Sequence, residues 1–343
     1  MTEFPGPSAP KTAVIAGIGS YLPPSLVTNA ELAARLDTSD QWIRSRTGIA
    51  TRHVVSAGMA TSDLAVEAGQ RALESAGKCQ ADMVVLATTT PDRPCPATAP
   101  EVAARLGLNG VAAFDVAAVC SGFLYALATA TGLIAAAMAN RVLLIAADAF
   151  TTIVDPSDRS TAVIFADGAG ALVLRTGAAD EPGSVGPMVL GSDGDLSDLI
   201  EVPAGGSRQR SSRRLPTPGD EYFTMRGRDI YRHAVQRMTS ASQRAMAAAG
   251  WATEDVDRFA AHQANARILE SVAGRLGLPA EKRLSNIERV GNTGAASVPV
   301  LLAESAADNS LTAGQRVLLT TFGGGLTWGA ATLVWPDLKA ITA

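Results

Sequence analysis

Cysteine is scarce in this chain: Cys79, Cys95 and Cys120 are the whole supply, an odd number without Cys-x-x-Cys spacing. That excludes a disulfide framework and a thiolate zinc site, and it fits a reducing cytoplasm. Histidine is equally sparse, and none of His53, His233 and His262 stands in a carboxylate cluster with metal-ligand spacing, so no metal is expected. There is no P-loop. Asp167-Gly-Ala-Gly170 lacks the third glycine of a dinucleotide fingerprint and runs into Leu172–Leu174, which reads as a strand. Basic charge is not in excess: the net charge is −4, which provides no field for nucleic acid or anionic lipid. No long apolar stretch follows the polar, proline-rich Met1–Pro10, so neither a signal peptide nor a membrane anchor is expected.

What is present is apolar and repetitive. Hydrophobic residues make up 47% of 343 and charged residues 18%, enough for a large core in two domains or one duplicated unit. Arg71-Ala-Leu-Glu-Ser-Ala-Gly77 returns as Arg244-Ala-Met-Ala-Ala-Ala-Gly250. Val102-Ala-Ala-Arg-Leu-Gly-Leu108 returns as Val272-Ala-Gly-Arg-Leu-Gly-Leu278, and Arg141-Val-Leu-Leu144 as Arg316-Val-Leu-Leu319. The offsets are 173, 170 and 175 residues, in one order. Helical patterns such as Ser62–Ala76 alternate with β-rich runs such as Met83–Thr88 and Val142–Ala146. This predicts βαβ units on largely parallel sheets covered on both faces, in two similar α/β halves, 1–176 and 177–343.

Such a protein places its site at the carboxyl ends of strands where the halves meet. Cys120 ends the apolar run from Phe114 and opens a small-residue helix, Ser121 to Ala137. There the helix dipole and free N–H groups favour its thiolate. Val256–Ala261 reads as a strand ending at His262, in His262-Gln-Ala-Asn265. Asn292 lies in the glycine-bounded turn Gly291-Asn-Thr-Gly-Ala-Ala-Ser-Val-Pro299, ahead of another helix. The strand Val317–Thr320 runs into Phe322-Gly-Gly-Gly325, whose glycines let backbone approach a ligand closely. Taken singly, these are a packed thiol, a structural histidine, a turn former and a loop. Their common place at element ends makes them candidates together, whereas His53 and His233 lack such neighbours.

The blocks Cys120-Ser-Gly-Phe, His262-Gln-Ala-Asn, Gly291-Asn-Thr-Gly-Ala-Ala-Ser and Gly323-Gly-Gly-Leu-Thr-Trp-Gly resemble those of β-ketoacyl-acyl carrier protein synthase III. So do Thr38-Ser-Asp-Gln-Trp42-Ile-Arg-Ser-Arg46-Thr-Gly-Ile49 and Asp155-Pro-Ser-Asp-Arg159-Ser-Thr161, and the likeness runs from about Ala13 to Val334. The resemblance implies a thiolase fold, two duplicated halves in a five-layer αβαβα sandwich, a cytoplasmic homodimer, and no cofactor beyond acyl-CoA as substrate. It implies decarboxylative condensation of a short acyl-CoA with malonyl-acyl carrier protein, the initiating step of fatty acid or polyketide-type synthesis. Cys120 would carry the acyl group. The N–H groups of Cys120 and Gly324 would form the oxyanion hole, and His262 and Asn292 would steady the enolate. Trp42 and Arg159 would sandwich the CoA adenine, Arg46 would meet phosphate and Asn265 would line the pantetheine tunnel. Arg267 and Arg275 would dock acidic carrier protein.

Ser121 stands where alanine is common in the family, and Gly294 where serine is common; Cys95 falls where acetyl-selective members carry a bulky aromatic that reaches across the dimer into the acyl pocket, which implies a roomier pocket here. The cluster Arg208, Arg210, Arg213, Arg214 reads as a mobile loop, with contact to CoA left open. A thiolase would carry a second cysteine near Gly323–Gly325, and none is there. A papain-like hydrolase conflicts with the α/β duplication, and a non-catalytic partner subunit conflicts with the intact Cys120, His262 and Asn292. A thiolase-fold acyltransferase to a small-molecule acceptor stays open as the alternative.

Overall fold

The computed structural model describes residues 11–342, so the Met1–Pro10 segment read above lies outside the described residues. The first half supplies β1 (Lys11–Tyr21), the ribbon β2 (Ser25–Thr28) with β3 (Thr51–Val54), then β4 (Met83–Ala87), β5 (Ala112–Val116), β6 (Arg141–Ala149) and β7 (Asp167–Ala178). The second supplies β8 (Val185–Ser192), the two-residue strands β9 (Ile200–Glu201) and β10 (Thr224–Met225), β11 (Arg258–Ala261), β12 (Arg316–Gly323) and β13 (Thr327–Val334). Two main sheets result, ordered β1-β7-β6-β4-β5 and β11-β12-β13-β8.

Successive residues of a strand point to opposite faces, and here both faces are apolar because both are covered. In β6, Val142, Leu144 and Ala146 join a core shared by the two sheets, while Leu143, Ile145 and Ala147 join an outer core. The shared core contains the helices Gly122–Ala135 and Ser297–Ala307, through Phe123, Leu127, Val298 and Leu301. The outer core of the first half is closed by helix Thr61–Ser75, with Leu64 and Ala68, and by helix Ala99–Arg105, with Val102. Helices Gly227–Ala249 and Ala266–Leu276 close the second half, packing Val235 and Val272 on Leu318 and Phe322 of β12. Helix, sheet, helix, sheet, helix is the five-layer thiolase arrangement.

The sequence repeats land on matching elements. Arg141-Val-Leu-Leu144 opens β6 and Arg316-Val-Leu-Leu319 opens β12; Val102 and Val272 lie on outer helices that follow β4 and β11. Each half runs β4-β6-β7-β1 or β11-β12-β13-β8 across its sheet. Beyond β11, where β5 flanks β4, a single parallel bridge joins Phe259 to Arg283. The expectation of largely parallel sheets needs correction. β4 pairs parallel with β5 and β6, and β11 with β12, but β7 and β13 return antiparallel and β1 and β8 pair antiparallel beyond them. The reason is local: Gly324–Leu326 turns β12 straight back into β13, so no crossover helix intervenes.

Candidate active site

Cys120 follows β5 in a 3-10 turn, Val119–Ser121, that feeds the helix Gly122–Ala135. Val119 holds a positive φ of 45°, a conformation a β-branched residue enters only under constraint, and this sharp corner presents the next residue's sulfur. The constraint comes from the second half. A side chain at Gly323 would meet the Cys120 and Ser121 backbone nitrogens at 2.8 and 2.9 Å, so only glycine lets the end of β12 lie against the Cys120 turn. Ser121, where alanine was expected, donates its hydroxyl to the Thr327 carbonyl across the same seam at 3.1 Å. The Gly324 N–H meets no acceptor among the described residues.

His262 sits at the end of β11, its N–H donating to the Thr320 carbonyl of β12 at 2.8 Å. Its Nδ1 is 2.6 Å from Ser297 Oγ, which leaves Nε2 for the cavity. Burial lowers the imidazole to about 3, so the ring is neutral at physiological pH. Asn292 bridges back to the first half: its N–H donates to the Ile164 carbonyl at 3.0 Å, and the Ala166 N–H donates to its carbonyl at 2.8 Å. Its Oδ1 accepts from the Gly294 N–H at 3.0 Å, which turns the Nδ2 hydrogens toward the cavity.

Cys120, His262 and Asn292 line one cavity of about 600 Å³. Its inner wall is apolar, with Phe223 and Phe165 in an aromatic cluster with Phe150, and with Ile200 and Met225 from the β9–β10 ribbon. Arg46, Arg228 and Arg267 stand on its wall with no carboxylate among its lining residues. Trp42 and Asn265 line it too. Asn265 also caps the helix Ala266–Leu276, accepting from the Ile268 N–H at 3.0 Å.

Three expectations change here. The thiolate is not the favoured form: burial pushes the Cys120 thiol well up, and the Asp148 carboxylate adds to the push, so desolvation outweighs the helix N-terminus. No slot separates Trp42 from Arg159, because the guanidinium lies directly over the indole at 4.8 Å with Arg46 also 4.7 Å from that ring, and Arg159 donates to the Asp37 carbonyl. Cys95 is exposed in the turn before helix Ala99–Arg105, outside this chain's own cavity lining, as a residue that reaches an acyl pocket across a dimer would be. The segment read as a loop makes a short helix, Ser207–Ser211, with Arg208, Arg210, Arg213 and Arg214 exposed and away from the cavity lining. Arg267 reaches the cavity, whereas Arg275 is exposed further along the same helix and does not.

Residue reasoning missed Ser297, Arg228 and Asp148. Ser297 lies inside the Gly291–Pro299 block, and its spacing from His262 carries no sign of contact. Asp148 had a signal: it is the one acid near the carboxyl end of the apolar strand Arg141–Ala149. It is fully buried, and burial raises its carboxyl to about 7.

Comparison with known proteins identifies the family. Residues 114–194 match the family 3-oxoacyl-[acyl-carrier-protein (ACP)] synthase III, and residues 246–335 match its C-terminal part. A β-ketoacyl-[acyl-carrier-protein] synthase III from Streptomyces coelicolor is 56% identical over 96% of this chain and 98% of its own. The crystal structure of 3-oxoacyl-(acyl carrier protein) synthase III from Pseudomonas aeruginosa superposes with a TM-score of 0.90 at 46% identity, covering 95% of this chain and 99% of that one. The priming β-ketosynthase of the R1128 polyketide pathway gives 0.87 at 32% identity, covering 97% and 99%. With more than half its residues identical to a relative along nearly its whole length, the chain belongs to the β-ketoacyl-acyl carrier protein synthase III family.

Proposed function

We propose that Cys120, His262 and Asn292 carry the family's condensation of an acyl-CoA primer with malonyl-acyl carrier protein, with Cys120 and Gly324 N–H as the oxyanion hole. The observation that carries the assignment is that thiol, imidazole and carboxamide, from both halves, line one cavity. The Cys120 sulfur attacks the acyl-CoA carbonyl, CoA leaves taking the thiol proton, and the acyl group rests as a thioester. Because the buried thiol is protonated at rest, sulfur attack and proton departure are coupled to thioester arrival. Each oxyanion donor contributes about 3 kcal/mol.

Malonyl thioester then loses CO2, its electron pair passing into an enolate. Nε2–H of neutral His262 and Nδ2–H of Asn292 donate to that enolate oxygen. The enolate carbon attacks the acyl-Cys120 carbonyl, and collapse releases the 3-oxoacyl product and a cysteine thiolate that regains a proton. Neutral donors suit this step, since a carboxylate would repel the enolate and a titrating group would lose its hydrogen.

Arg46 and Arg228 supply positive charge for phosphate at the entrance, and Asn265 lines the pantetheine path. Trp42 offers a stacking face for adenine once Arg159 lifts from it. Arg267 and Arg275 form the docking face for acidic carrier protein, in a cytoplasmic homodimer whose partner brings Cys95 toward the acyl end. No helix among the described residues is long and apolar enough to cross a membrane.

Incubation with several acyl-CoAs and malonyl-carrier protein, followed by intact mass measurement, tests the reading. Acylation mapping to Cys120 and a 3-oxoacyl-carrier product are expected. Faster acyl transfer to a small alcohol than to carbon would replace condensation with the acyltransferase activity.

A further inference from the structure

A fully buried carboxylate without a cation is costly unless it is hydrogen-bonded, and Asp148 is held by donors from two separate segments, one from each half. Its Oδ1 accepts from the Thr89 N–H at 2.6 Å and the Thr88 hydroxyl at 3.2 Å, just past β4. Its Oδ2 accepts from the Ala295 N–H at 2.7 Å, three residues after Asn292. No Lys, Arg or His pairs with it among the described residues, and Cys120, beside the turn it grips, is the titratable group its charge reaches. Gly294 fits the same clamp. A side chain there would run into Asp148 Oδ2, on a backbone with φ of 58°, so glycine suits this position in this chain.

We propose that Asp148 is a positioning residue for condensation: it ties the Asn292 turn of the second half to the end of β4, fixing the carboxamide against the Cys120 sulfur. The proposal rests on the enolate role given to Asn292. Because its donors are three and its carboxylate oxygens two, an amide at 148 cannot satisfy both sides: its NH2 would face an N–H donor. Burial keeps the proton on the Cys120 thiol, and the Asp148 carboxylate, when ionised, adds to that effect.

The test compares Asp148→Asn, Thr88→Val and Asn292→Ala with the wild-type protein by acyl loading, condensation and the pH midpoint of Cys120 alkylation by iodoacetamide. In Asp148→Asn, condensation is expected to fall about 10- to 100-fold more than loading, the scale of one lost hydrogen bond to a charged group. Its alkylation midpoint is expected to move to lower pH with loading little changed, whereas a loosened site would admit water, lower the midpoint and slow loading together. Thr88→Val removes one donor and should lower the condensation-to-loading ratio a few-fold, which keeps the test open if the first variant does not fold. Equal loss of both steps with an unmoved midpoint, or a wild-type ratio in Thr88→Val, overturns the proposal. Asn292→Ala condensing normally overturns the enolate role with it, whereas impaired Asn292→Ala beside unaffected Asp148→Asn overturns the clamp alone.

Discussion

Two buried groups at the site hold unusual protonation states for the same reason, removal from water. His262 is lowered from 6.5 to about 3, so an acid limb of condensation near pH 7 should come from Asp148, raised to about 7, and vanish in Asp148→Asn; a limb near 6.5 that persists in that variant would contradict a neutral donor. The stability consequences oppose each other. The folded state binds the Asp148 proton more tightly than the unfolded chain does, so that contribution is complete below about 4 and lost as pH rises through about 7. His262 resists protonation when folded, so its contribution is complete above 6.5 and lost as pH falls toward 3. Between pH 4 and 6.5 the two slopes oppose. Asp148→Asn leaves the histidine slope alone, so its melting temperature should fall by several degrees on acidifying from 6.5 to 4, relative to wild type. Thermal scans at stepped pH read this directly.

At the scale of elements, the site is a seam where two strand ends and a helix start share backbone space. Gly323→Ala places a Cβ against the Cys120 nitrogen, which cannot yield without moving the nucleophile. Loading and condensation should both fall about 100-fold or more, with about 1–3 kcal/mol of stability lost to overpacking. Gly132→Ala is the counterpart: this glycine lies in the interior of helix Gly122–Ala135 with open space at its Cβ, so alanine should add about 0.5–1 kcal/mol and leave activity unchanged. Denaturant midpoints and single-step assays distinguish the two. These elements also show what a sequence reveals. Cys120, His262 and Asn292 were legible because each ends a periodic run at a glycine-rich or strand-to-helix junction, which is local information. Asp148 and Ser297 were not, because their partners lie 147 and 35 residues away and only tertiary pairing makes them functional. The antiparallel return of β7 and β13 was hidden likewise, since doubly covered strands of either direction read as the same apolar run. The thiol's protonation was misread because local sequence shows the helix N-terminus and not the depth of burial.

Across the whole molecule, duplication would explain the proposed division of labour: the first half brings Cys120 and the second His262 and Asn292 to one cavity. Charge is divided too. The chain is net negative, yet its cavity wall carries three arginines and no acid, a local positive field of the sign that the proposed phosphate and carrier-protein contacts need. Reversing Arg267 and Arg275 to glutamate should raise the KM for malonyl-carrier protein about tenfold or more, an effect that weakens with salt, and should disturb acyl-CoA loading less. Equal loss of both would remove these arginines from carrier-protein docking.

The most direct measurement is single-turnover mass analysis of His262→Ala and Asn292→Ala, mixed first with acyl-CoA and then with malonyl-carrier protein. Both variants should accumulate acyl-Cys120 while the 3-oxoacyl product forms at least about 100-fold more slowly than in the parent protein. Rapid product formation from either, or failure of both to acylate Cys120, would contradict a condensation shared between a first-half sulfur and two second-half donors.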